Sequence, residues 1–406
     1  MLRAASGSSY STQIFRLCEA PMKERTLLPV AIIGVLVLWL ATVGLWAVDA
    51  QKIDQSSSDR LPGEQADAIE WKLVTTWPKG LPGLGSAPEN FARRVGEMSN
   101  GRLTVRVYGA GEVVPPFEVF DAVAQGVAEM GHGAAYYWKG KIPASVFYTA
   151  VPFGMTAQEM NGWLHYGGGL ELWRELYAPF GVRPFAGGST GVQMAGWFNR
   201  ELKSAADLDG LKMRIPGLAG EVFAASGGTA VRLAGGEIYT SMQTGVIDAV
   251  EWVGPYNDRT LGLMEVAEYY YYPGWHEPGA MLEFTVNQDA FDQLPQDLQA
   301  IVEGAARATN QDMLDEFTAR NNQSLTTLLT EHSTKLRPLP DDVLDVLYIN
   351  SVSALARLKA DDPMAQKIAA SYEAFLEGVR RYHEISERAY LNARDRVLPP
   401  ISFTDQ

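Results

Sequence analysis

Residues 212–252 read KMRIPGLAGEVFAASGGTAVRLAGGEIYTSMQTGVIDAVEW. A strand-like start carries Arg214, a helical pattern runs over Ala219–Ser226, a short strand over Ala230–Leu233, and a second helical pattern over Glu237–Thr244. The apolar run from Val246 then ends at Trp252 as a further strand. Strands separated by short helices imply parallel neighbours joined by right-handed crossovers, and therefore an α/β sheet. Within that frame Arg214 is conspicuous. An arginine in a strand-like apolar run is costly to bury unless something accepts its fork of donors, and a carboxylate fits that fork at two points. Arg214 thus points to a captured acid.

Upstream, the apolar run Val192–Phe198 reads as a strand that includes Gln193. Earlier still the chain alternates again: strand Trp71–Thr76, helix Ala87–Ser99 opened by Ser86-Ala87-Pro88, strand Leu103–Tyr108, helix Pro116–Gln125 and strand Glu129–Ala134. Ligands in such sheets lie beyond the carboxyl ends of the strands, so Trp77 and the residues from Tyr136 onward are placed to line a cleft. One helix over Ala157–Ala178, ended by Pro179, and a strand over Val182–Ala186 follow. Two α/β lobes, about 69–190 and about 191–288, joined by strands passing between them, form the plan of a two-lobed, hinged periplasmic-binding-protein fold. Residues 295–332 and 341–395 are helical in period, broken near Pro338–Pro340 and Asp361–Pro363, and suit a brace laid over both lobes.

The chain has 406 residues, 47% hydrophobic and 20% charged, enough for one large core or two lobes. A net charge of −14 with no basic stripe argues against nucleic acid as a partner. A buried anion site remains compatible with it, because local charge and oriented dipoles govern such a site. The single cysteine, Cys18, excludes a disulfide framework and a cysteine metal site. Residues 26–48, TLLPVAIIGVLVLWLATVGLWAV, follow Lys23 and Arg25 and end in small residues, which is an export signal over residues 1–50 with cleavage after Ala50. The apolar run of 23 residues also has the length of an uncleaved membrane anchor. Either outcome places the rest outside the cytoplasmic membrane, with residues 51–68 as a polar linker.

The segment Ala206-Asp-Leu-Asp-Gly-Leu-Lys-Met-Arg-Ile-Pro-Gly217, the helix Glu237–Asp248 and Glu251-Trp-Val-Gly-Pro-Tyr256 resemble the extracytoplasmic solute receptors of tripartite ATP-independent periplasmic (TRAP) transporters. Tyr136-Tyr-Trp-Lys-Gly-Lys141 and Tyr272-Pro-Gly-Trp-His-Glu-Pro-Gly279 resemble the branch that takes 2-oxo and 2-hydroxy monocarboxylates with a bridging metal ion. The resemblance implies a pyruvate- or lactate-like ligand, membrane-embedded TRAP subunits as partners, and no covalent chemistry. It also implies a two-point salt bridge from Arg214 and metal ligation by Gln193, Glu251 and the main-chain oxygen of Trp252. Those hard oxygen donors select Na⁺, Ca²⁺ or Mg²⁺ over zinc or copper; a single carboxylate with neutral oxygens leans toward a monovalent ion, and Ca²⁺ with more oxygens stays open. Glu277 either completes that shell beside the substrate or caps backbone donors in its loop. Tyr136 and Tyr137 wall the pocket; on a strand end adjacent side chains point oppositely, so one faces the ligand and one packs. The run Tyr269–Tyr272 reads as packing.

A rival reading uses Gly187-Gly-Ser-Thr-Gly191 as the nucleophile elbow of an exported α/β hydrolase, with Ser189 as nucleophile and His276, His332 or His383 as base. The elbow needs a helix directly after the serine, whereas a strand pattern follows. His132, at an apolar strand end, reads as a core histidine, and no histidine pair has metal-ligand spacing. The final helices carry an apolar stripe through Ile368, Tyr372, Phe375 and Tyr382, which serves either as core or as a homodimer contact.

Overall fold

The computed structural model describes residues 68–399. The export segment expected over 1–50, and the linker up to 67, lie outside the described residues. Among the described residues no helix is long and apolar enough to cross a membrane.

Two sheets organise the chain. The first has the order β2-β1-β3-β10-β4, from β1 Ile69–Thr75, β2 Leu103–Tyr108, β3 Met130–Gly133, β4 Val182–Ser189 and β10 Met281–Asn287. The second has the order β11-β9-β5-β8-β6-β7, from β5 Gly196–Phe198, β6 Lys212–Arg214, β7 Thr229–Val231, β8 Ala249–Val250, β9 Tyr269–Tyr272 and β11 Lys335–Pro338. As the alternation requires, β1 runs parallel to β2 and β3, and β6 parallel to β7 and β8. Alternate residues of β1, Trp71 and Leu73, turn to one face, where Phe91 and Val95, four apart on helix Ser86–Met98, meet them. Leu298, Val302 and Ala305 of helix Gln296–Thr330 close the same layer.

The chain crosses between the sheets three times: after β4, after β9, and after β10, when helix Gln296–Thr330 leads back to β11; the first two crossings are short segments. These two crossing segments are bonded to each other: Gln193 donates its amide to the Glu277 carbonyl at 3.2 Å, and Gly274 donates to the Gln193 carbonyl at 2.9 Å. Gly274 is required there, since a Cβ would stand 2.2 Å from the Gln193 carbonyl oxygen. The 35-residue helix Gln296–Thr330 touches both lobes. Its Asn310 accepts the amide of Gly188 at 3.1 Å, and its Asn321 accepts that of Tyr256 at 3.0 Å.

Several expectations change in detail. Gln193 is not on a strand, because β5 begins only at Gly196 and the preceding residues bond to the other crossing segment. The helix expected over Ala157–Ala178 is two, Ala157–Tyr166 and Gly169–Tyr177, parted where Gly168 takes φ 83°. Strand β11, unanticipated, pairs with β9. Tyr270 packs as expected, stacked on Trp197 at 4.1 Å with its hydroxyl donating to Asp258 at 2.7 Å.

Ser189 ends β4 fully buried, its hydroxyl accepting the Gly191 amide at 3.3 Å, and no helix follows it. The nucleophile elbow is therefore not built. His132 is satisfied as a core residue, accepting from Trp77 Nε1 and bonding the Gly187 carbonyl, both at 3.0 Å.

Candidate functional site

Five pieces of chain converge between the sheets. In the parallel register Arg214 of β6 faces Val250 of β8, so Glu251 and Trp252 leave β8 one step beyond the arginine. The two short crossing segments, bonded to each other, bring Gln193 and His276-Glu277 together. A single 3-10 turn, Ala135–Trp138, delivers Tyr136 and Tyr137 from the first sheet. Arg214 is 1% exposed, Glu251 0%, His276 1%, Glu277 3% and Gln193 5%, so these polar groups are shielded from solvent.

Arg214 Nη1 donates to the Glu251 carbonyl at 2.7 Å and to Glu251 Oε2 at 2.9 Å. Its Nη2 donates to the Tyr137 hydroxyl at 3.3 Å, its Nε to the Leu233 carbonyl at 3.3 Å, and its guanidinium lies 5.0 Å from the Trp252 ring centre. Gln193 Nε2 donates to Glu277 Oε2 at 2.8 Å and to Thr190 Oγ1 at 3.0 Å. Four buried atoms of this cluster have no hydrogen-bond partner: Gln193 Oε1, Glu251 Oε1 and both ring nitrogens of His276. Buried polar atoms are rarely left alone, and each orphan costs about 1–3 kcal/mol. Unsatisfied oxygens from an amide and a carboxylate, beside the second carboxylate of Glu277, suit a hard cation.

Both tyrosines turn inward, against the expectation that one would pack away. A 3-10 turn has about 3.0 residues per turn rather than a strand's alternation, so neighbours can share a side. Their rings meet at 4.8 Å and 79°; the Tyr137 hydroxyl reaches Arg214, and the charges of Glu277 and Glu251 bear on that of Tyr136. Gly217, at φ 68°, lets the Tyr136 ring approach, since a Cβ there would lie 3.1 Å from it. Trp77 forms a back wall, 5.9 Å from Tyr137 and 6.2 Å from Trp252.

Residues 73–349 match the DctP family, described as bacterial extracellular solute-binding protein, family 7. A monocarboxylate 2-oxoacid-binding periplasmic protein of Nostoc sp. is 43% identical over 80% of this chain and 88% of its own length. The chain belongs to the DctP family. Its members are solute-binding receptors that work outside the cytoplasm. A TRAP periplasmic solute-binding protein of Colwellia psychrerythraea, with bound calcium and pyruvate, is 42% identical with a TM-score of 0.79, covering 80% of this chain and 100% of that one. One from Pseudoalteromonas atlantica, with bound sodium and pyruvate, is 43% identical at 0.78 over 80% and 99%. One from Bordetella bronchiseptica, a dimer with calcium and picolinate, is 36% identical at 0.79 over 80% and 97%. The two-lobed α/β fold read from the sequence is thus that of this DctP receptor.

Contacts between the lobes surround the receptor's site. Lys139, just after the tyrosine turn, pairs with Glu221 of helix Gly217–Ala225, and Arg232 lies 3.8 Å over the Phe117 ring. His276 was read from sequence only as a partner for Ser189, although it stands inside the Gly274–Gly279 loop already singled out for Glu277. The signal available was its adjacency to that carboxylate.

Burial sets the electrostatics. It pushes Glu251 up to about 7, with Arg214 opposing, and pushes Glu277 up to about 8, with the Glu251 charge adding to it. Asp258 and Glu283, buried elsewhere, rise to about 7 by the same cause. Burial pulls His276 down to about 4. Burial opposes the charge of Arg214 too, but Glu251 and the tyrosines outweigh it and hold the guanidinium protonated. Carboxyls raised in the fold keep protons that the unfolded chain has released, so their contribution to stability is complete at low pH and is lost as pH climbs through 7 to 8. The depressed histidines act in the opposite sense, but only below their usual 6.5. The melting temperature of the receptor without added ligand or cation is therefore expected to fall between pH 6.5 and 8, and Glu277→Gln to lessen the fall. A flat profile over that window in thermal melts would contradict it.

Proposed function

We propose that this receptor binds a small 2-oxo or 2-hydroxy monocarboxylate, of pyruvate or lactate size, together with a cation, and presents it to the membrane subunits of a TRAP transporter. The observation that carries this reading is the meeting of one buried guanidinium, Arg214, with the unpartnered oxygens of Gln193 and Glu251. The bound pyruvate in the Colwellia and Pseudoalteromonas proteins supports the ligand class, and their calcium and sodium support the ion.

In this reading the ligand carboxylate takes a two-point salt bridge from Arg214, displacing Glu251 Oε2 from the guanidinium. Glu251 then joins Gln193 Oε1, the Trp252 main-chain oxygen and Glu277 around the cation. Held by these residues, the cation would help Arg214 to neutralise the ligand's carboxylate. Tyr136 and Tyr137 close the wall, with Gln193 and Glu277 bordering the ligand. When bound, the cation supplies positive charge that a single arginine cannot.

The lean toward a monovalent ion rested on one carboxylate, and Glu277 is a second. Two protein carboxylates and the bound acid against Arg214 leave two negative charges, which Ca²⁺ neutralises and Na⁺ only halves; this favours Ca²⁺. No bond of the ligand is made or broken, and it leaves unchanged. Residues 1–50 direct export, with cleavage after Ala50 or retention as an anchor. A lobe boundary near 190 accords with the crossing after β4, whereas the one expected near 288 is better placed between Tyr272 and Met281, because β10 pairs with β3 and β4 in the first sheet.

Thermal melting with a panel of acids, each with and without Na⁺ or Ca²⁺, tests the proposal. A ligand that binds only the folded form stabilises it by about 4 kcal/mol at a thousandfold excess over Kd. The melting temperature is expected to rise with pyruvate- or lactate-like acids plus the cation, and mass analysis of the recovered ligand to show no change. A rise with dicarboxylates or sugars alone, or conversion of the ligand, would refute it.

A further inference from the structure

His276 lies fully within the site, yet the roles derived above leave it out. Both of its ring nitrogens are buried without a hydrogen-bond partner. Its Nε2 stands 3.4 Å from Glu251 Oε1, itself unpartnered, and the two are not aligned for a hydrogen bond. Donor atoms of Glu251, His276 and Glu277 all lie within 4.8 Å of one another. Two adjacent ligands on one ion, each about 2.0–2.5 Å from it, stand about 3.0–3.5 Å apart. The imidazole and the carboxylate therefore hold the spacing of neighbours on a common ion rather than that of donor and acceptor.

We propose that His276 is a nitrogen ligand of the cation, so that the site accepts first-row divalent ions such as Mn²⁺ and Co²⁺ in preference to Ca²⁺. The reason is the donor set. Carboxylate and amide oxygens alone favour hard ions, and an imidazole nitrogen among them shifts affinity toward the first transition row without excluding calcium. With Gln193 Oε1, Glu251, Glu277 and a bound carboxylate, the shell is one nitrogen and several oxygens. The other ring nitrogen then points away from the ion and is left to hydrogen-bond outside the shell, as is ordinary for ligating histidines. The inference rests on the proposed receptor site and adds to it which ions the site selects.

Two measurements test it on the full-length exported protein. In the first, protein stripped of metal is titrated with Mn²⁺, Co²⁺ and Ca²⁺ by calorimetry in the presence of pyruvate. The wild type is expected to bind Co²⁺ or Mn²⁺ more tightly than Ca²⁺ by at least about tenfold, and His276→Gln, which substitutes an amide oxygen, to bring the ions to near equality. In the second, pulsed electron paramagnetic resonance of the Mn²⁺-loaded wild type is expected to show a directly coupled ¹⁴N nucleus. That readout decides the matter even where the variant fails to fold. Calcium-supported pyruvate binding with no nitrogen coupling, and with Ca²⁺ bound as tightly as Co²⁺, overturns the role of His276 while leaving the receptor reading intact. Absence of carboxylate binding with every ion overturns the receptor reading itself.

Discussion

Arg214→Ala is expected to remove carboxylate binding while the protein still folds. The guanidinium is 1% exposed and is the cation against which Glu251 is paired in the cluster. Removing one partner of a buried ion pair costs about 3–5 kcal/mol, because the other charge is left uncompensated. In binding, the stranded groups are Glu251 and the incoming carboxylate, so the loss should reach about 3 kcal/mol or more, over a hundredfold in Kd. The fold survives because burial already holds Glu251 near 7, so that a proton can replace the lost arginine at modest cost. Arg214→Lys separates charge from shape. An ammonium restores the positive charge but not the planar fork, so partial recovery of affinity is expected. Calorimetry for binding and thermal melts for folding check both variants. Undiminished affinity in Arg214→Ala would take the arginine out of the ligand's path.

How far the sequence could be read follows from which interactions are local. The alternation through residues 212–252 announced parallel strands because hydrophobic period is set by neighbours along the chain, and β6, β7 and β8 pair as that period requires. Arg214 was legible for a related reason, since a charge inside a strand-like run calls for a partner wherever the chain goes. The position of Gln193 was not legible. Its apolar flanks carry a strand's pattern, yet its backbone is satisfied by Glu277 and Gly274, some 80 residues away in the other crossing segment, and no local signal reports that pairing. The tyrosine pair failed differently: a strand end and a 3-10 turn share the residues Tyr136-Tyr137 but give opposite answers about which way they point. The edge strand Lys335–Pro338 is short, ends in proline and forms only because β9 offers a free side. His276 was visible as a residue but not as a ligand, because sequence gives no measure of its 3.4 Å approach to Glu251.

Withdrawal of the cation is expected to weaken carboxylate binding on the order of a hundredfold, and its return to restore it. Without an ion, a carboxylate held by Arg214 faces Glu251 and Glu277, both within one small buried cluster. Two like charges about 4 Å apart at an effective dielectric constant near 20 repel by about 4 kcal/mol. Protonation of the glutamates, favoured by their raised values of about 7 and about 8, relieves part of this, which brings the expected loss to about 3 kcal/mol, or roughly a hundredfold. The same argument fixes the pH dependence of the loss. At pH 6 both glutamates hold protons and the ion matters less, whereas at pH 8.5 both are charged and it matters most. Calorimetric titration with pyruvate after exhaustive chelation, and separately in sodium-free buffer, distinguishes the ions, since only one treatment should act. Glu251→Gln keeps an oxygen donor while removing a charge, so its binding should depend less on the ion than the wild type's does. Affinity that ignores both treatments at pH 8.5 would mean that the unpartnered oxygens of Gln193 and Glu251 face the acid directly, an arrangement that repulsion on this scale does not allow.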